Sequence, residues 1–206
     1  MRPIYLDHQA TTPVDPRVLE AMLPYFSEAF GNPSSATHAY GWEAAAVVKQ
    51  ARATLAEAIG ATSEEIIFTS GATEANNLAL LGVAEANLSR GRHIVTVATE
   101  HRSVLDPCRY LESLGFDLTV LPVQPDGLLD LHELERSLRP ETILVSVMAA
   151  NNEIGVLQPL GAIGALCRDR QILFHTDAAQ ALGKIPLDVE ALSIDLMSLT
   201  AHKLYG

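Results

Sequence analysis

Ile172-Leu173-Phe174-His175-Thr176-Asp177-Ala178-Ala179-Gln180 is an apolar run of strand length that closes on a carboxylate and an amide. A second run, Ile194-Asp195-Leu196-Met197-Ser198-Leu199, leads straight into Thr200-Ala201-His202-Lys203-Leu204-Tyr205-Gly206. Short apolar runs with little alternation fit strands buried on both faces of a parallel sheet. Working outward toward the N-terminus, the same unit repeats. Residues 160–169 read as a helix, Thr142 to Met148 as a strand rich in β-branched residues, 130–138 as a short helix and Phe116 to Val123 as a strand. Further back come a helix over 103–114, a strand over His93-Ile94-Val95-Thr96-Val97, a helix over 73–90 and a short strand over Glu65-Ile66-Ile67-Phe68-Thr69. Repeated strand–helix units predict an α/β fold, a three-layer α/β/α arrangement around a mostly parallel sheet.

The remainder is more helical. Ala44, Val48, Ala51, Leu55 and Ile59 recur at helical spacing over 41–59, as do Leu19, Leu23, Phe26 and Phe30 over 16–30. Gly31-Asn32-Pro33-Ser34-Ser35 is a loop, and residues 1–15 read as an extended arm with turn chemistry at Thr12-Pro13 and Asp15-Pro16. The expected organisation is an arm over 1–15 and one α/β domain over 16–206.

Composition narrows the function. Net charge is −11, and no basic run is present, which argues against nucleic acid as a partner. No apolar stretch is long enough for a membrane span. The N-terminus lacks the apolar core of a signal peptide. Two cysteines, Cys108 and Cys167, are too few for a disulfide framework, so a cytoplasmic, reducing setting is expected.

Ligands of open parallel sheets sit outside the carboxyl ends of the strands, and polar residues gather there. Thr69-Ser70-Gly71-Ala72-Thr73-Glu74 opens a helix, and the free amides of Ala72 and Thr73 with the Thr73 hydroxyl could hold a phosphate; an ordinary helix cap has the same residues. In Thr99-Glu100-His101 an imidazole follows a strand and could stack on a flat ring, although a strand-end His is often only solvated. Asn151-Asn152-Glu153-Ile154-Gly155 offers an amide, or merely a turn. His175 and Asp177 share one side of a strand, but no third metal ligand stands at a characteristic spacing, and no metal is expected. Asp177 could equally cap a helix, and Lys203 could be a solvated charge. A strand-end Asp followed by a strand-end Lys is, however, the pair that pyridoxal 5′-phosphate chemistry uses. The amine forms a Schiff base, and the carboxylate keeps the pyridine nitrogen protonated. Five strand ends that supply a phosphate cradle, a ring, an amide, an anion and an amine favour that reading over coincidence.

From Tyr5 to Gly206 the chain resembles the cysteine desulfurases of the NifS/IscS type, fold-type I pyridoxal-phosphate enzymes of the class-V aminotransferase group. The matching segments are Tyr5-Leu6-Asp7-His8-Gln9-Ala10-Thr11-Thr12-Pro13, Gly31-Asn32-Pro33-Ser34-Ser35, Phe68-Thr69-Ser70-Gly71-Ala72-Thr73-Glu74, Thr99-Glu100-His101, Asn151-Asn152-Glu153-Ile154-Gly155, Asp177-Ala178-Ala179-Gln180 and Ala201-His202-Lys203. The resemblance implies that Lys203 carries the cofactor and Asp177 pairs with the pyridinium nitrogen. It also implies that Gln180 bonds the ring hydroxyl, that His101 stacks on the ring and moves protons, and that Asn152 lies near cofactor and substrate. Ala72, Thr73 and His202 would hold the phosphate, with Thr200 in a place where the family often has Ser. The implied reaction takes sulfur from L-cysteine to give alanine and an enzyme persulfide for iron–sulfur cluster or thiolation pathways. The implied partners are a second copy of the chain and a sulfur-acceptor or scaffold protein.

In the family, the sulfur-accepting cysteine loop, a substrate-binding arginine and a phosphate contact from the other subunit all fall after the position of Gly206. The expectation is therefore an incomplete large domain without its C-terminal small domain, inactive alone. Cys108 and Cys167 do not match the catalytic cysteine and read as buried structural thiols. Two other readings stay open: a selenocysteine lyase or another class-V enzyme, and a fragment that binds the cofactor without catalysis.

Overall fold

The computed structural model describes residues 3–206. The first two residues of the predicted arm lie outside the described residues. Two compact units are present, one comprising the chain up to Phe68 together with Ala201–Gly206, the other Thr69–Thr200.

In the first unit, α1 (Pro16–Met22) starts where Asp15 accepts the Arg17 amide at 2.8 Å, with Pro16 at the helix start, where a missing N–H costs nothing. The predicted single helix over 16–30 is interrupted. Pro24 cannot continue the hydrogen-bond ladder and instead opens a separate turn, α2 (Pro24–Ser27). Helix α3 (Ala39–Ile59) is capped by His38 and stops at Gly60, whose φ of 69° is the left-handed conformation that glycine accepts readily. The Gly31–Ser35 loop presses on the start of α3: a Cβ at Gly41 would fall 1.8 Å from the Ser35 carbonyl oxygen. The short strand expected over Glu65–Thr69 is not formed. A 3-10 turn covers Ser63–Glu65, closed by reciprocal bonds between Thr62 and Glu65, and the extended residues after it join no ladder among the described residues. Strand propensity alone does not make a strand without a partner. Here the Arg52 guanidinium donates to the Ile66 carbonyl and lies over the Phe68 ring.

The second unit follows the predicted alternation closely: α4 (Ala72–Ala86), β1 (His93–Val97), α5 (Arg102–Ser113), β2 (Asp117–Leu121), α6 (Leu131–Ser137), β3 (Thr142–Ser146), α7 (Leu160–Asp169), β4 (Leu173–Asp177) and β5 (Leu196–Ser198). The strands form one sheet in the order β2-β1-β3-β4-β5, and every pair is parallel; helices α5, α6 and α7 make the crossovers from β1 to β4. Alternation of side chains builds two cores. Val95, Val97, Val145 and Phe174 pack with Leu134, Ile163 and Cys167 of α6 and α7. Ile94 and Leu144 pack with Leu80, Val83, Val104 and Leu111 of α4 and α5 on the other face. The result is the three-layer architecture. The chain leaves β1 for β2 at one edge and returns to β3 on the other side of β1. The carboxyl ends of β1 and β3 therefore flank the point where strand order reverses, the usual ligand crevice of such sheets.

Candidate functional site

Three loops meet at that crevice. The segment after β1 and the segment after β3 are stitched together: the Asn151 side-chain amide donates to the Thr99 carbonyl at 3.0 Å, and the Met148 amide donates to the buried Glu100 carboxyl. Asp177 closes β4. Its Oδ1 accepts the Ala179 amide at 2.9 Å, and its Oδ2 accepts from the Asn76 side chain at 2.8 Å. Asn76, fully buried in the first turns of α4, also donates to the Ser103 hydroxyl at 2.9 Å. Ser103 in turn meets His101 Nδ1 through its hydroxyl at 2.8 Å and its backbone amide at 3.1 Å. One continuous set of bonds therefore joins Asp177 to His101, two residues singled out from the sequence, through two that were not.

Electrostatics separate the neighbouring groups. Burial, and after it the negative charge of Asp177, push the Glu100 carboxyl well above the usual carboxylate range. Glu100 is thus favoured in its neutral form. Burial pushes the His175 imidazole down to about 4. Its ring nitrogens are taken by the Ser146 and Ser198 hydroxyls at 2.8 and 3.0 Å, so His175 is a tie between β3, β4 and β5, not a ligand. Burial pushes both thiols, Cys108 and Cys167, up to about 12, which leaves neither a usable nucleophile.

At the opening of α4, nothing lies within 4 Å of where a Cβ on Gly71 would sit. The Glu74 carboxylate turns back to the Ser70 amide, leaving the amides of Ala72 and Thr73 at the positive helix end. Asn152 is half-buried, one residue beyond the Asn151 side chain that makes the loop contact. Gln180 Oε1 accepts from Lys184 at 3.1 Å, and Thr200 is buried just past β5.

His202 and Lys203 lie in the first unit, on a turn strapped to the arm. The Thr12 amide donates to the His202 carbonyl at 2.8 Å, the Asp15 amide to the Tyr205 carbonyl at 2.9 Å, and His202 Nδ1 meets the Thr11 hydroxyl at 3.1 Å. Lys203 is half-buried.

The profile of the class-V aminotransferases matches residues 4–206. The chain belongs to this family. It is 61% identical over 206 residues to the cysteine desulfurase of Mus musculus, covering all of this chain and 45% of that protein. It is 56% identical over 204 residues to the cysteine desulfurase IscS of Rickettsia rickettsii (strain Iowa), covering 99% of this chain and 50% of that one. The chain thus spans about half the length of the curated relatives it matches. Among solved structures it is similar to SspA in complex with cysteine (TM-score 0.96, 44% identity, 99% of this chain and 58% of that chain) and to a NifS-like protein (TM-score 0.96, 42% identity, 100% and 56%).

The donor set of this class-V chain fits the family's cofactor, pyridoxal phosphate. A buried carboxylate at a strand end suits a pyridinium nitrogen, an open glycine at a helix start suits a phosphate, and buried polar atoms with no partner among the described residues, Asn76 Oδ1 and Thr99 Oγ1, gather nearby in the crevice loops and α4. Asn76 and Ser103 escaped the sequence reading, and Glu100 was read only as part of the Thr99–His101 segment. The signal for Asn76 was present: it shares the α4 stripe of Leu80 and Val83, an amide where the pattern calls for an apolar residue.

Proposed function

We propose that this chain is the cofactor-holding part of a pyridoxal 5′-phosphate-dependent cysteine desulfurase. The buried Asp177 carboxylate at the end of β4, held by Asn76 and Ala179 and linked to His101, carries the reading. When bound, pyridoxal phosphate would supply an electron sink, and Lys203 would be the amine that holds it. Asp177 would hold the proton on the ring nitrogen, Gln180 would bond the ring hydroxyl, and His101 would stack on the ring and help move protons. The amides of Ala72 and Thr73, with Thr200 and His202, neutralise the phosphate, and Asn152 stands on the substrate side.

The substrate is L-cysteine, the amino acid named with one structural neighbour. A thiol attacks its sulfur, the Cβ–S bond breaks, and alanine and a persulfide result, with no outside oxidant or reductant needed. Cys108 and Cys167 are excluded from that role by burial, so the attacking thiol comes from outside these residues. The working form is a homodimer in the cytoplasm that hands sulfur to an acceptor or scaffold protein of iron–sulfur cluster or thiolation pathways. Buried free thiols suit a reducing compartment. No helix among the described residues is long and apolar enough to cross a membrane.

The test loads the full-length protein with pyridoxal phosphate, reduces it with borohydride and maps the labelled peptide, then follows alanine and sulfide release from cysteine and alanine and selenide release from selenocysteine. Label at Lys203 and alanine from cysteine are expected. Label elsewhere removes the cofactor assignment, and turnover confined to selenocysteine replaces the desulfurase with a lyase.

A further inference from the structure

The bonds from Asp177 to His101 have a fixed direction. A carboxylate has no hydrogen to give, so Asp177 Oδ2 can only accept from Asn76, at 2.8 Å. A flipped Asn76 amide would set oxygen against oxygen. The second N–H of Asn76 then goes to Ser103 Oγ, at 2.9 Å. Because that oxygen accepts, its own hydrogen is left for the one acceptor beside it, His101 Nδ1, at 2.8 Å. The Ser103 amide donates to the same nitrogen at 3.1 Å. Two donors face Nδ1, so it presents its lone pair, and a neutral ring then carries its proton on Nε2.

We propose that Asn76 and Ser103 are positioning residues that relay the charge of Asp177 to His101 and hold its imidazole as the Nε2–H tautomer. The inference rests on reading Asp177 and His101 as cofactor-facing. A helix cap alone does not explain the arrangement. The cap needs only the Ser103 backbone amide, yet a fully buried amide is kept beside it with its Oδ1 unpartnered among the described residues. Such an orphan is costly, and an apolar residue at position 76 would avoid it. The consequence for proton movement is specific. In the neutral ring Nε2 offers a hydrogen and no lone pair, and the one basic lone pair, on Nδ1, is committed to Ser103, so His101 acts at Nε2 as a donor and not as a base.

The experiment is ¹⁵N NMR of the histidine rings in the full-length apoprotein, with the His101 signal identified by its loss in His101→Gln. Wild type is expected to show Nε2–H. Ser103→Ala and Asp177→Asn should each move the ratio toward Nδ1–H by about fivefold, the size of one ordinary hydrogen bond. Ser103→Thr should restore the wild-type ratio, and Asn76→Ala should behave as Ser103→Ala where it folds. Nδ1–H in wild type, or a ratio unmoved by either Ser103→Ala or Asp177→Asn, overturns the relay. The readout uses no cofactor, so failure of pyridoxal phosphate to attach to wild type strikes the proposed function and not this inference.

Discussion

At the amino end of the sheet His93 opens β1, with Nδ1 meeting the Thr142 hydroxyl at 2.7 Å and Nε2 the Thr119 hydroxyl at 2.9 Å, while Thr142 Oγ1 also accepts the Arg139 amide at 2.8 Å. Both ring nitrogens and both hydroxyls are used. At the carboxyl end the pattern inverts. Asn76 Oδ1, Thr99 Oγ1 and Glu100 Oε2 are buried without partners among the described residues, as are Thr96 and Thr176, each one residue from the end of its strand. A buried polar group left unbonded costs roughly 1–3 kcal/mol. The amino end is arranged for folding. The carboxyl end holds polar groups that the fold itself leaves unbonded, as the cofactor site proposed above would need.

The largest effect that tests this contrast concerns stability. His93 and His175 are both pushed by burial to about 4 from 6.5. Between those values the unfolded chain holds more protons than the folded one, so stability falls as pH drops through the window. Each histidine accounts for on the order of 3 kcal/mol. Denaturant midpoints should fall steeply from pH 7 to pH 4.5, and His93→Gln should remove roughly half of that fall with cofactor attachment intact. A flat profile would mean that the amino end is not the folding anchor described. The matching test at the other end concerns function. Asp177→Ala in the full-length protein should lower turnover on the order of 10²-fold or more, because a neutral pyridine is a poor electron sink. Unchanged turnover at normal cofactor occupancy removes Asp177 from the chemistry.

The same contrast explains what the sequence disclosed. Strands buried on both faces leave unmistakable apolar runs, so the sheet, its parallel direction and the polar residues at Thr99–His101, Asn151–Asn152 and Asp177–Gln180 could be read directly. Position along the chain then suffices to find a strand end. Asn76 and Ser103 could not be found that way. They lie inside helices, and their importance depends on contacts across 101 and 27 residues of sequence. The short strand expected over Glu65–Thr69 failed for the opposite reason: local propensity was present, but pairing is a long-range property. The helix read over 16–30 from the spacing of Leu19, Leu23, Phe26 and Phe30 took no account of Pro24, which divides it.

Glu100 sharpens the comparison by a smaller effect. Its folded carboxyl keeps the proton to higher pH than the unfolded chain does, so its contribution is present below about 4.5 and is lost as pH rises through the folded value. That slope opposes the histidines in part of the same window. Glu100→Gln cannot ionise and should gain stability relative to wild type as pH rises, read as a growing difference in denaturant midpoint. A difference that stays constant with pH would mean that Glu100 is ionised in the fold and that the crevice holds two anions.

The smallest expected effect is in the first unit, where polar groups are bonded but exposed. Thr12 Oγ1 donates to the His202 carbonyl at 3.0 Å and accepts the Tyr205 amide at 2.9 Å. Thr12→Val keeps the shape and removes both bonds. The His202 carbonyl still receives the Thr12 amide at 2.8 Å, so it stays satisfied. The Tyr205 amide loses its partner, but water can replace it. The cost is therefore about 1 kcal/mol, the net worth of an ordinary hydrogen bond and at the low end of the cost of a buried orphan. It should appear locally, as roughly fivefold faster hydrogen exchange at the Tyr205 amide, with Thr12→Ser restoring protection. Because Lys203 rides on this turn, reductive labelling of Lys203 should slow in step with the lost protection. Labelling that slows while Tyr205 stays protected would mean that Thr12 acts on the lysine directly and not by ordering its turn.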